Sequence, residues 1–316
     1  MDVKETEHWD LIVVGAGPAG LTAGLYGARS GLKTLVLEEK TPGGAAAETP
    51  LIENYPGFHE GISGRDLVER MTKHCKRVGA KVNELERVVE LNLSGEKKVV
   101  KTDRAAYTAS AMIIAPGCHY RSLGVPGEEE LRGRGVSYCA VCDGAFFKGG
   151  KVLVVGGGNS AVVSAIYLAN LASDVKLAHR RAQLRAEGAL VKNLRAQKVE
   201  VLWNMELKEI KGDVRVRSVV LTNNKTGETE EINADGVFVQ VGEVPNSQVA
   251  KEAGVEVDRD GYIVVDVRQR TNIKGVYAAG DVTTSPVKQI GAAVGQAIIA
   301  ATEAFGYIKS PYYYED

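Results

Sequence analysis

Two segments of the chain share one order of apolar and polar positions. In residues 10–40 an apolar run, Leu11 to Val14, precedes a glycine-rich turn, apolar positions at helical spacing and a second apolar run. Residues 151–181 repeat this order. Each segment therefore predicts a strand, a helix and a parallel strand. Because the two glycine turns begin 141 positions apart, at Gly15 and Gly156, the chain is predicted to contain two nucleotide-binding domains.

Shorter apolar runs fill the chain between and after these segments. Strand-like patterns over 81–114 and 199–241 predict a small β-meander in each domain. Segments 115–130 and 241–248 contain the glycine and proline that are typical of linkers. The second of these linkers mirrors the first, which indicates that the chain leaves the first domain and later returns to it.

The part of the chain after the second linker completes the predicted fold. Residues 261–271 and 275–281 predict further strands, and a helix is predicted from about Gly291 to Phe305. The predicted fold class is α/β, with two Rossmann-like, three-layer dinucleotide-binding domains. The second domain is inserted into the first, and the predicted boundaries are 1–117, 118–244 and 245–316.

Composition and charge narrow the class of protein. The 316 residues are 44% hydrophobic and 25% charged, which is ordinary for a globular protein with more than one core. The net charge of −1 gives no field that attracts nucleic acid or an anionic membrane. The longest apolar runs have the length of strands, and the polar N-terminus lacks a signal-peptide core. We expect a cytoplasmic protein that binds neither nucleic acid nor membrane.

The first glycine motif is Gly15-x-Gly17-x-x-Gly20, between a predicted strand and a predicted helix. Its glycines allow a tight turn, a close approach of backbone to a pyrophosphate, and helix–strand packing. Seventeen residues separate Gly20 from Glu38 at the end of the second strand, where a carboxylate can accept both ribose hydroxyls. This register favours a dinucleotide site over a glycine-rich turn without a ligand.

The second motif is Gly156-x-Gly158-x-x-Ala161. Seventeen residues likewise separate Ala161 from His179, which is followed by two arginines and, one turn later, a third. Guanidinium groups bind a ribose 2′-phosphate, which a carboxylate would repel. The motif therefore predicts NADP(H) rather than NAD(H), and the alternative is a solvated basic surface. The arginines are Arg180, Arg181 and Arg185.

Two cysteines lie three positions apart, in Cys139-Ala-Val-Cys142. At the start of a helix this spacing brings the sulfur atoms within disulfide range, and the helix dipole lowers a thiolate pKa. A zinc site would need a second pair of ligands, which the isolated Cys75 and Cys118 do not supply. We interpret the pair as redox-active, with a metal half-site and an inert pair as alternatives, and Cys75 and Cys118 as structural.

A strand that ends in Ala-Gly280-Asp281 is expected to bring a carboxylate and a small backbone position close to a ligand such as a ribityl chain.

Across nearly its whole length the chain resembles the low-molecular-weight thioredoxin reductases. The resemblance rests on the motifs above and on several longer strings in matching order. These strings are IENYPGF (52–58), GRGVSYCAVCDGAFF (133–147), GGGNSA (156–161), HRRAQLRA (179–186), GVFVQVGEVPN (236–246) and GVYAAGDV (275–282).

The resemblance implies an NADPH-binding domain inserted into an FAD-binding domain, and a homodimer. It implies that the Cys139–Cys142 disulfide takes electrons from the flavin and passes them to thioredoxin or a glutaredoxin-like protein. Asp143 would be the acid/base beside the pair, and Cys142 the thiol nearer the flavin.

The implied cofactor contacts fall on both glycine motifs and on segments matching the family. For FAD they are Gly15, Gly17, Pro18, Ala19, Gly20, Glu38, Glu39, Gly43, Gly44, Asn54, Gly117, Gly280, Asp281, Lys288, Gln289 and Ile290. For NADPH they are Gly156, Gly158, Asn159, Ser160, Ala161, His179, Arg180, Arg181 and Arg185. No metal ligand is predicted.

Three short segments depart from the family pattern. Ala45-Ala46 follows Gly44 where the family usually has Gln-Leu or Gln-Met, and Pro116 replaces a threonine before Gly117. Val163-Ser164 stands where a pair of glutamates is usual, on the helix side where the nicotinamide would approach.

Other functions fit parts of the pattern. A deazaflavin or ferredoxin could be the electron donor, although such relatives tend to lack the arginines. A ferredoxin–NADP reductase would lack the cysteine pair, and the flavoprotein partner of a peroxiredoxin would carry a further redox domain. From another class, a non-catalytic redox-sensing dinucleotide-binding protein would show a degraded acceptor site.

Overall fold

The computed structural model describes residues 7–49 and 51–309, and the chain forms two compact units. The first unit comprises Met1–His119 and Val244–Asp316, and the second comprises Tyr120–Glu243. The predicted domain boundaries, at 117/118 and 244/245, lie within two residues of the boundaries between these units. Two short strands, β7 (Cys118–Tyr120) and β16 (Glu243–Pro245), lie where the chain passes between the units, and they pair with each other.

The first unit is built on one sheet. Its strands are β1 (Glu7–Val14), β2 (Thr34–Leu37), β3 (Lys81–Asn83), β4 (Val88–Asn92), β5 (Lys98–Thr102), β6 (Ala106–Ile114) and β17 (Val276–Ala278). Its helices are α1 (Pro18–Arg29), α2 (Gly64–Arg77), α6 (Gln248–Glu252) and α7 (Ile290–Lys309). The sheet order is β3-β2-β1-β6-β5-β4, and β17 also pairs with β6.

The meander predicted over 81–114 is not a separate sheet. β3 pairs in parallel with β2, and β6 pairs in parallel with both β1 and β17. Only β4, β5 and the first half of β6 are antiparallel. The reason is the length of β6, whose nine residues pair with β5 at one end and lie between β1 and β17 at the other.

The prediction of a strand over 261–271 is wrong, because this segment forms only isolated bridges. The Asp266 carboxylate accepts hydrogen bonds from the backbone N–H groups of Arg268 and Arg270, which closes a turn. Gln269 in that turn has φ 62°, a left-handed conformation that a strand does not permit. The predicted C-terminal helix is present and longer, from Ile290 to Lys309.

The second unit separates its strands into two sheets. They are β8 (Val136–Ser137), β9 (Lys151–Gly156), β10 (Asp174–His179), β11 (Val199–Trp203), β12 (Met205–Gly212), β13 (Val216–Asn223), β14 (Thr229–Asn233) and β15 (Gly236–Gln240). Its helices are α3 (Ala140–Asp143), α4 (Asn159–Leu168) and α5 (Gly188–Arg195). A parallel sheet has the order β11-β10-β9-β15-β8, and β12-β13-β14 form a separate meander. The meander is therefore shorter than predicted, since β11 and β15 belong to the parallel sheet.

Burial shows how the helices and the sheet of the first unit pack in layers. In the first unit α1 and α7 cover one face of the sheet with small side chains such as Ala23, Ala297 and Ala301. All four residues of β2 are buried, as expected for a parallel strand covered on both faces.

In the described part of the chain no helix is long and apolar enough to cross a membrane.

Candidate active site

The first glycine loop lies between β1 and α1, at the carboxyl end of the sheet. Gly15 has φ 96°, and a Cβ there would collide with the Ala115 carbonyl oxygen at the end of β6. A Cβ on Gly20 would collide with the Gly15 carbonyl oxygen. Gly17, in contrast, has open space where its Cβ would stand. Packing therefore requires glycine at positions 15 and 20, whereas Gly17 leaves backbone exposed to a ligand.

Glu38 follows β2 and turns back to this loop. Its Oε2 accepts a hydrogen bond from the Ala16 N–H at 2.7 Å, and its Oε1 accepts one from the Lys40 N–H at 2.9 Å. The loop and the carboxylate are thus held together, as a ribose hydroxyl pair would require. Glu39 is exposed, and no hydrogen bond among the described residues joins its side chain to the loop.

Other residues predicted to bind FAD gather around the same loop. The Gly43 N–H donates to the Ala16 carbonyl oxygen at 2.8 Å. A Cβ on Gly44 would stand 3.4 Å from the Gly17 Cα, and one on Gly280 would stand 3.0 Å from the Ala19 Cβ. These small residues therefore lie close around the loop, where larger side chains would crowd it.

Asp281 and Gln289 lie at the ends of two further elements of this unit. Burial raises the pKa of the Asp281 carboxyl, and the nearby Lys288 ammonium opposes this. No described residue donates a hydrogen bond to that carboxylate, so it can accept one from a ligand hydroxyl. Asn54 Nδ2 donates to Gln289 Oε1 at 3.0 Å, which brings these two predicted contacts together. Ile290 is the first residue of α7, and Gly117, at φ 67°, has open space around its Cβ position.

The second glycine loop, between β9 and α4, repeats the geometry of the first. A Cβ on Gly156 would collide with the Gln240 carbonyl oxygen, at the end of β15. Gly158 has open space at its Cβ position, as Gly17 does. Ala161 is buried in the first turn of α4, where the third glycine stands in the first loop. Ser160 and Asn159 are exposed, and the Asn159 side chain exchanges two hydrogen bonds of 2.9 Å with Glu187.

His179 lies beneath this loop rather than on the surface. Its side chain is 5% exposed, and a Cβ on Gly157 would collide with the imidazole ring. Its Nε2 lies 2.9 Å from the Gln183 carbonyl oxygen. Burial lowers the pKa of the imidazole below 6.5, and the hydrogen bonds to the backbone of Gln183 and Gly156 only partly oppose it. The positive charges of Arg185 and Arg181 also lower this pKa. The ring is therefore neutral at neutral pH and supports the loop through packing.

The three predicted arginines occupy the exposed turn after β10. Their guanidinium groups make no hydrogen bond to any described residue, but their backbone is fixed. The Arg180 carbonyl accepts from Asn224 Nδ2 at 2.8 Å, and the Arg185 N–H donates to the Gly157 carbonyl at 2.7 Å. The turn thus presents positive groups, ready for a phosphate, next to the open side of the loop.

The positions that lack the family's glutamates differ in burial. Val163 on α4 is 46% exposed, whereas Ser164 is 9% exposed and packs into the unit. An acidic side chain at position 163 would keep its charge in solvent. At position 164 the charge would be buried, which costs free energy.

Cys139 and Cys142 form a disulfide with a Cα–Cα distance of 5.3 Å. Cys139 is the N-cap of α3, and its Sγ accepts a hydrogen bond from the Cys142 N–H at 3.2 Å. Asp143, the last residue of α3, has its Oδ2 2.6 Å from the Ser137 hydroxyl. Burial raises the pKa of the Asp143 carboxyl, and the Ser137 hydrogen bond acts in the opposite direction.

The other two cysteines take no part in this disulfide. Cys75 is fully buried in α2, and burial raises its pKa to about 11. The Cys118 thiol donates to the Asp281 carbonyl oxygen at 3.0 Å. Among the described residues no group of three or more His, Cys, Asp or Glu side chains could hold a metal ion.

Sequence reasoning did not single out Ser137, although it lies within the matched string 133–147. It also missed Asn224, which fixes the arginine turn from a distant segment, and Gln183, which lies inside the string 179–186 and contacts His179 through its backbone carbonyl. No spacing rule links Asn224 to Arg180, because they meet only when the hairpin between β13 and β14 folds.

The residues present fit two dinucleotides. Each glycine loop leaves one glycine facing open space, at Gly17 and at Gly158, where a pyrophosphate would approach. Beside the first loop lies a carboxylate that the loop itself holds in place. Beside the second lie guanidinium groups that find no hydrogen-bond acceptor among the residues described here.

Comparison with known proteins agrees with this geometry. Residues 9–297 match the model of the pyridine nucleotide-disulphide oxidoreductase family. The thioredoxin reductase of Bacillus subtilis (strain 168) is 44% identical over 311 residues, covering 97% of each chain. The crystal structure of thioredoxin reductase from Streptococcus pyogenes MGAS5005 is similar with a TM-score of 0.91, at 42% identity, over 97% of this chain and 100% of that one. Thioredoxin reductase from Giardia duodenalis gives a TM-score of 0.89 at 36% identity, over 95% and 98% of the two chains.

Fold and site together define a pyridine nucleotide-disulphide oxidoreductase, an enzyme with two dinucleotide-binding units and a disulfide. FAD and NADPH are its cofactors. Within that class the chain belongs to the thioredoxin reductase family.

Proposed function

We propose that this enzyme uses electrons from NADPH to reduce the Cys139–Cys142 disulfide, which then reduces thioredoxin or a glutaredoxin-like protein. When bound, FAD supplies the redox chemistry between the two: it accepts a hydride from NADPH and passes two electrons on to a disulfide. We assign FAD to the first unit and NADPH to the second. The observation that carries the proposal is a disulfide in the same unit as the glycine loop flanked by arginines.

The assignment of the cofactors rests on charge. The first loop is paired with the Glu38 carboxylate, which suits the two hydroxyls of an unphosphorylated ribose. The second loop is flanked by guanidinium groups that have no acceptor among the described residues. A 2′-phosphate provides such an acceptor, so NADPH is favoured over NADH in the second unit.

The disulfide has features that suit thiol–disulfide exchange. The Cys142 N–H points at Cys139 Sγ, so a thiolate on Cys139 would keep a hydrogen-bond donor. Asp143 lies in the same turn, and burial raises its pKa, so its carboxyl holds a proton to higher pH than an exposed aspartate does. The proposed exchange therefore has a stabilised leaving sulfur and a proton carrier within one helical turn.

The surface beside the disulfide suits a protein substrate. Val141, between the two cysteines, is 51% exposed, and Phe146 in the following turn is 49% exposed. Exposed apolar side chains next to a reactive group are expected where a partner protein docks.

We also propose a homodimer in the cytoplasm, as the resemblance to the family implies. Light scattering of the purified protein tests the dimer.

Serine variants of the two cysteines test the proposed reaction. Cys139→Ser and Cys142→Ser should each lower NADPH-dependent thioredoxin reduction by roughly a thousandfold or more, because no disulfide remains to exchange. NADPH oxidation with a small artificial electron acceptor should persist, since that route does not use the cysteines. Stopped-flow absorbance and an insulin-reduction assay give the two rates.

Cys75→Ala is the matched control, since it also removes one thiol but lies buried in the first unit. It should reduce thioredoxin at the parent rate. Parent-like thioredoxin reduction by either serine variant would refute the proposed role of the disulfide.

A further inference from the structure

Ser137 is the last residue of β8, two positions before Cys139, and the proposed reaction assigns it no role. Its side chain is 5% exposed, yet it takes part in three short contacts around the Cys139–Cys142 turn. The Cys139 N–H donates to Ser137 Oγ at 3.0 Å. Ser137 Oγ lies 2.6 Å from Asp143 Oδ2 and 3.3 Å from the Cys139 carbonyl oxygen.

A hydroxyl has one hydrogen to donate, so these contacts determine its direction. The incoming Cys139 N–H occupies a lone pair of Oγ, and the hydroxyl hydrogen then has two acceptors. The Asp143 oxygen is the nearer by a wide margin, and a carboxylate is the stronger acceptor. The result is a chain of hydrogen bonds from the backbone of the first cysteine to the carboxyl that follows the second.

The two oxygens of Asp143 are therefore unequal. Oδ2 is occupied by the Ser137 hydroxyl, whereas Oδ1 is buried and has no hydrogen-bond partner among the described residues. A buried oxygen without a donor is poorly suited to carry negative charge but well suited to carry a proton. The proton of a neutral Asp143 consequently belongs on Oδ1.

We propose that Ser137 is a positioning residue that holds Asp143 by Oδ2, so that Oδ1 is the oxygen that exchanges a proton with the Cys139–Cys142 pair. This inference rests on the proposed function and deepens it. When the S–S bond receives two electrons and breaks, one sulfur takes the proton from Oδ1 and becomes a thiol, and the other leaves as a thiolate. The Asp143 carboxylate that results keeps the Ser137 hydrogen bond. In the exchange with a protein disulfide the thiol returns its proton to Asp143.

Few other charges act on this carboxyl. The two elements that pack most closely on α3 are α4 and the turn Gly144–Phe147, and neither contains a charged side chain. Tyr167 on α4 is their only titratable group, and within the α3 turn the reduced cysteines are the other titratable groups. The Ser137 hydrogen bond is thus the main interaction that opposes the effect of burial on the Asp143 pKa.

Ser137→Ala tests this proposal through a pH profile. Without the hydroxyl the ionised form of Asp143 loses its donor, so its pKa rises and the carboxyl keeps its proton to higher pH. Re-oxidation of the reduced pair by a protein disulfide should then slow by about tenfold at the acidic end of the profile. At the alkaline end, where Asp143 is ionised in both proteins, the rates should converge.

Two further variants separate positioning from a general structural effect. Ser218→Ala is the matched control, because the Ser218 hydroxyl is also buried and also lies 2.6 Å from a carboxylate, Glu231, on the separate meander of the same unit. It should leave the profile unchanged. In an Asp143→Asn background, Ser137→Ala should cause no further pH-dependent loss, since the group that it acts through is gone.

The pH dependence of alkylation of the pair, after chemical reduction with dithiothreitol, gives a second readout that needs no NADPH. A parent enzyme that fails to turn over with NADPH would contradict the proposed function while leaving this readout available. An unchanged Ser137→Ala profile, or an equal slowing at every pH, would overturn the role of Ser137.

Discussion

The two glycine loops have the same backbone plan but treat the residue at the end of the second strand in opposite ways. In the first unit Glu38 reaches the loop through its carboxylate, which accepts the N–H of Ala16. In the second unit His179 reaches the equivalent loop position, Gly157, through the face of a buried ring. Both residues fix their loop, yet only Glu38 keeps a charged group there.

This difference teaches how one fold selects two cofactors. In the first unit a single residue, Glu38, both holds the loop and offers the group that would bind the ribose. In the second unit different residues perform these two roles. His179 supplies support, and the exposed arginines that follow it supply charge. Their backbone is held by Asn224 and by the loop itself, so only the side chains have to be ordered when they bind a phosphate. On the proposed assignment of the cofactors, the residue at the strand end and the turn after it thus determine whether the ribose is unphosphorylated or carries a 2′-phosphate.

Removal of the arginine charges should have the largest effect on this comparison. In Arg180→Ala with Arg181→Ala, the 2′-phosphate loses hydrogen bonds to charged groups, each worth about 1.5–3 kcal/mol. The KM for NADPH should rise by about a hundredfold, whereas the KM for NADH should change little. Steady-state kinetics with both coenzymes measures the ratio. Arg195→Ala, which removes an exposed arginine of α5, is the control and should behave as the parent. An unchanged coenzyme preference would disprove the assignment of these arginines.

Alanine at the open glycines should have the next largest effect, and it should separate the two cofactors. Gly17→Ala and Gly158→Ala meet no protein atom within 4 Å and have no positive φ, so both should fold. The new methyl group enters the space of the pyrophosphate. Gly17→Ala should weaken FAD retention, and Gly158→Ala should weaken NADPH binding, each by about tenfold or more. Flavin content after gel filtration and the NADPH dissociation constant are the measurements. Loss of the same cofactor in both variants would contradict the assignment of one cofactor to each unit.

The smallest effect concerns His179 and pH. Its pKa is lowered from 6.5 by burial, so the unfolded chain binds a proton more readily than the folded unit does. The stability that this neutral ring contributes is present above pH about 6.5 and is lost as pH falls through the lower pKa of the folded state. The melting temperature of the parent should therefore fall by roughly a few degrees on mild acidification. His179→Gln should show a flatter dependence, whereas His59→Gln, which alters an exposed histidine, should not. Identical slopes in all three proteins would exclude this role.

Local patterns were enough to predict the glycine loops, because strand, turn and helix are adjacent in sequence. The seventeen-residue count found both Glu38 and His179 at the ends of their strands. It could not predict the direction of the His179 ring, which depends on the missing side chain of Gly157 and on a carbonyl in the following turn. The counts rest on chain geometry alone, whereas the direction of a side chain depends on its packing.

Contacts between distant segments account for the predictions that were wrong or incomplete. The apolar residues of 261–271 resemble a strand, but Asp266 closes a turn within them and Val267 is left 88% exposed. β6 was read as the end of a meander, because nothing local shows that β17, far along the chain, would pair with it. Ser137 was overlooked for a related reason, since a serine gains significance only when its hydroxyl meets Asp143.

An anaerobic titration with NADPH, with NADH in parallel, tests the central claim most directly. The claim is that the arginine-flanked unit takes electrons from NADPH and that they reach the Cys139–Cys142 disulfide. Flavin absorbance and a count of reactive thiols follow the two products in one experiment. NADPH should bleach the flavin and release two new thiols, and NADH at the same concentration should do so far less. A flavin that stays oxidised with NADPH yet bleaches with dithionite would contradict the account, as would a bleached flavin with the disulfide still intact.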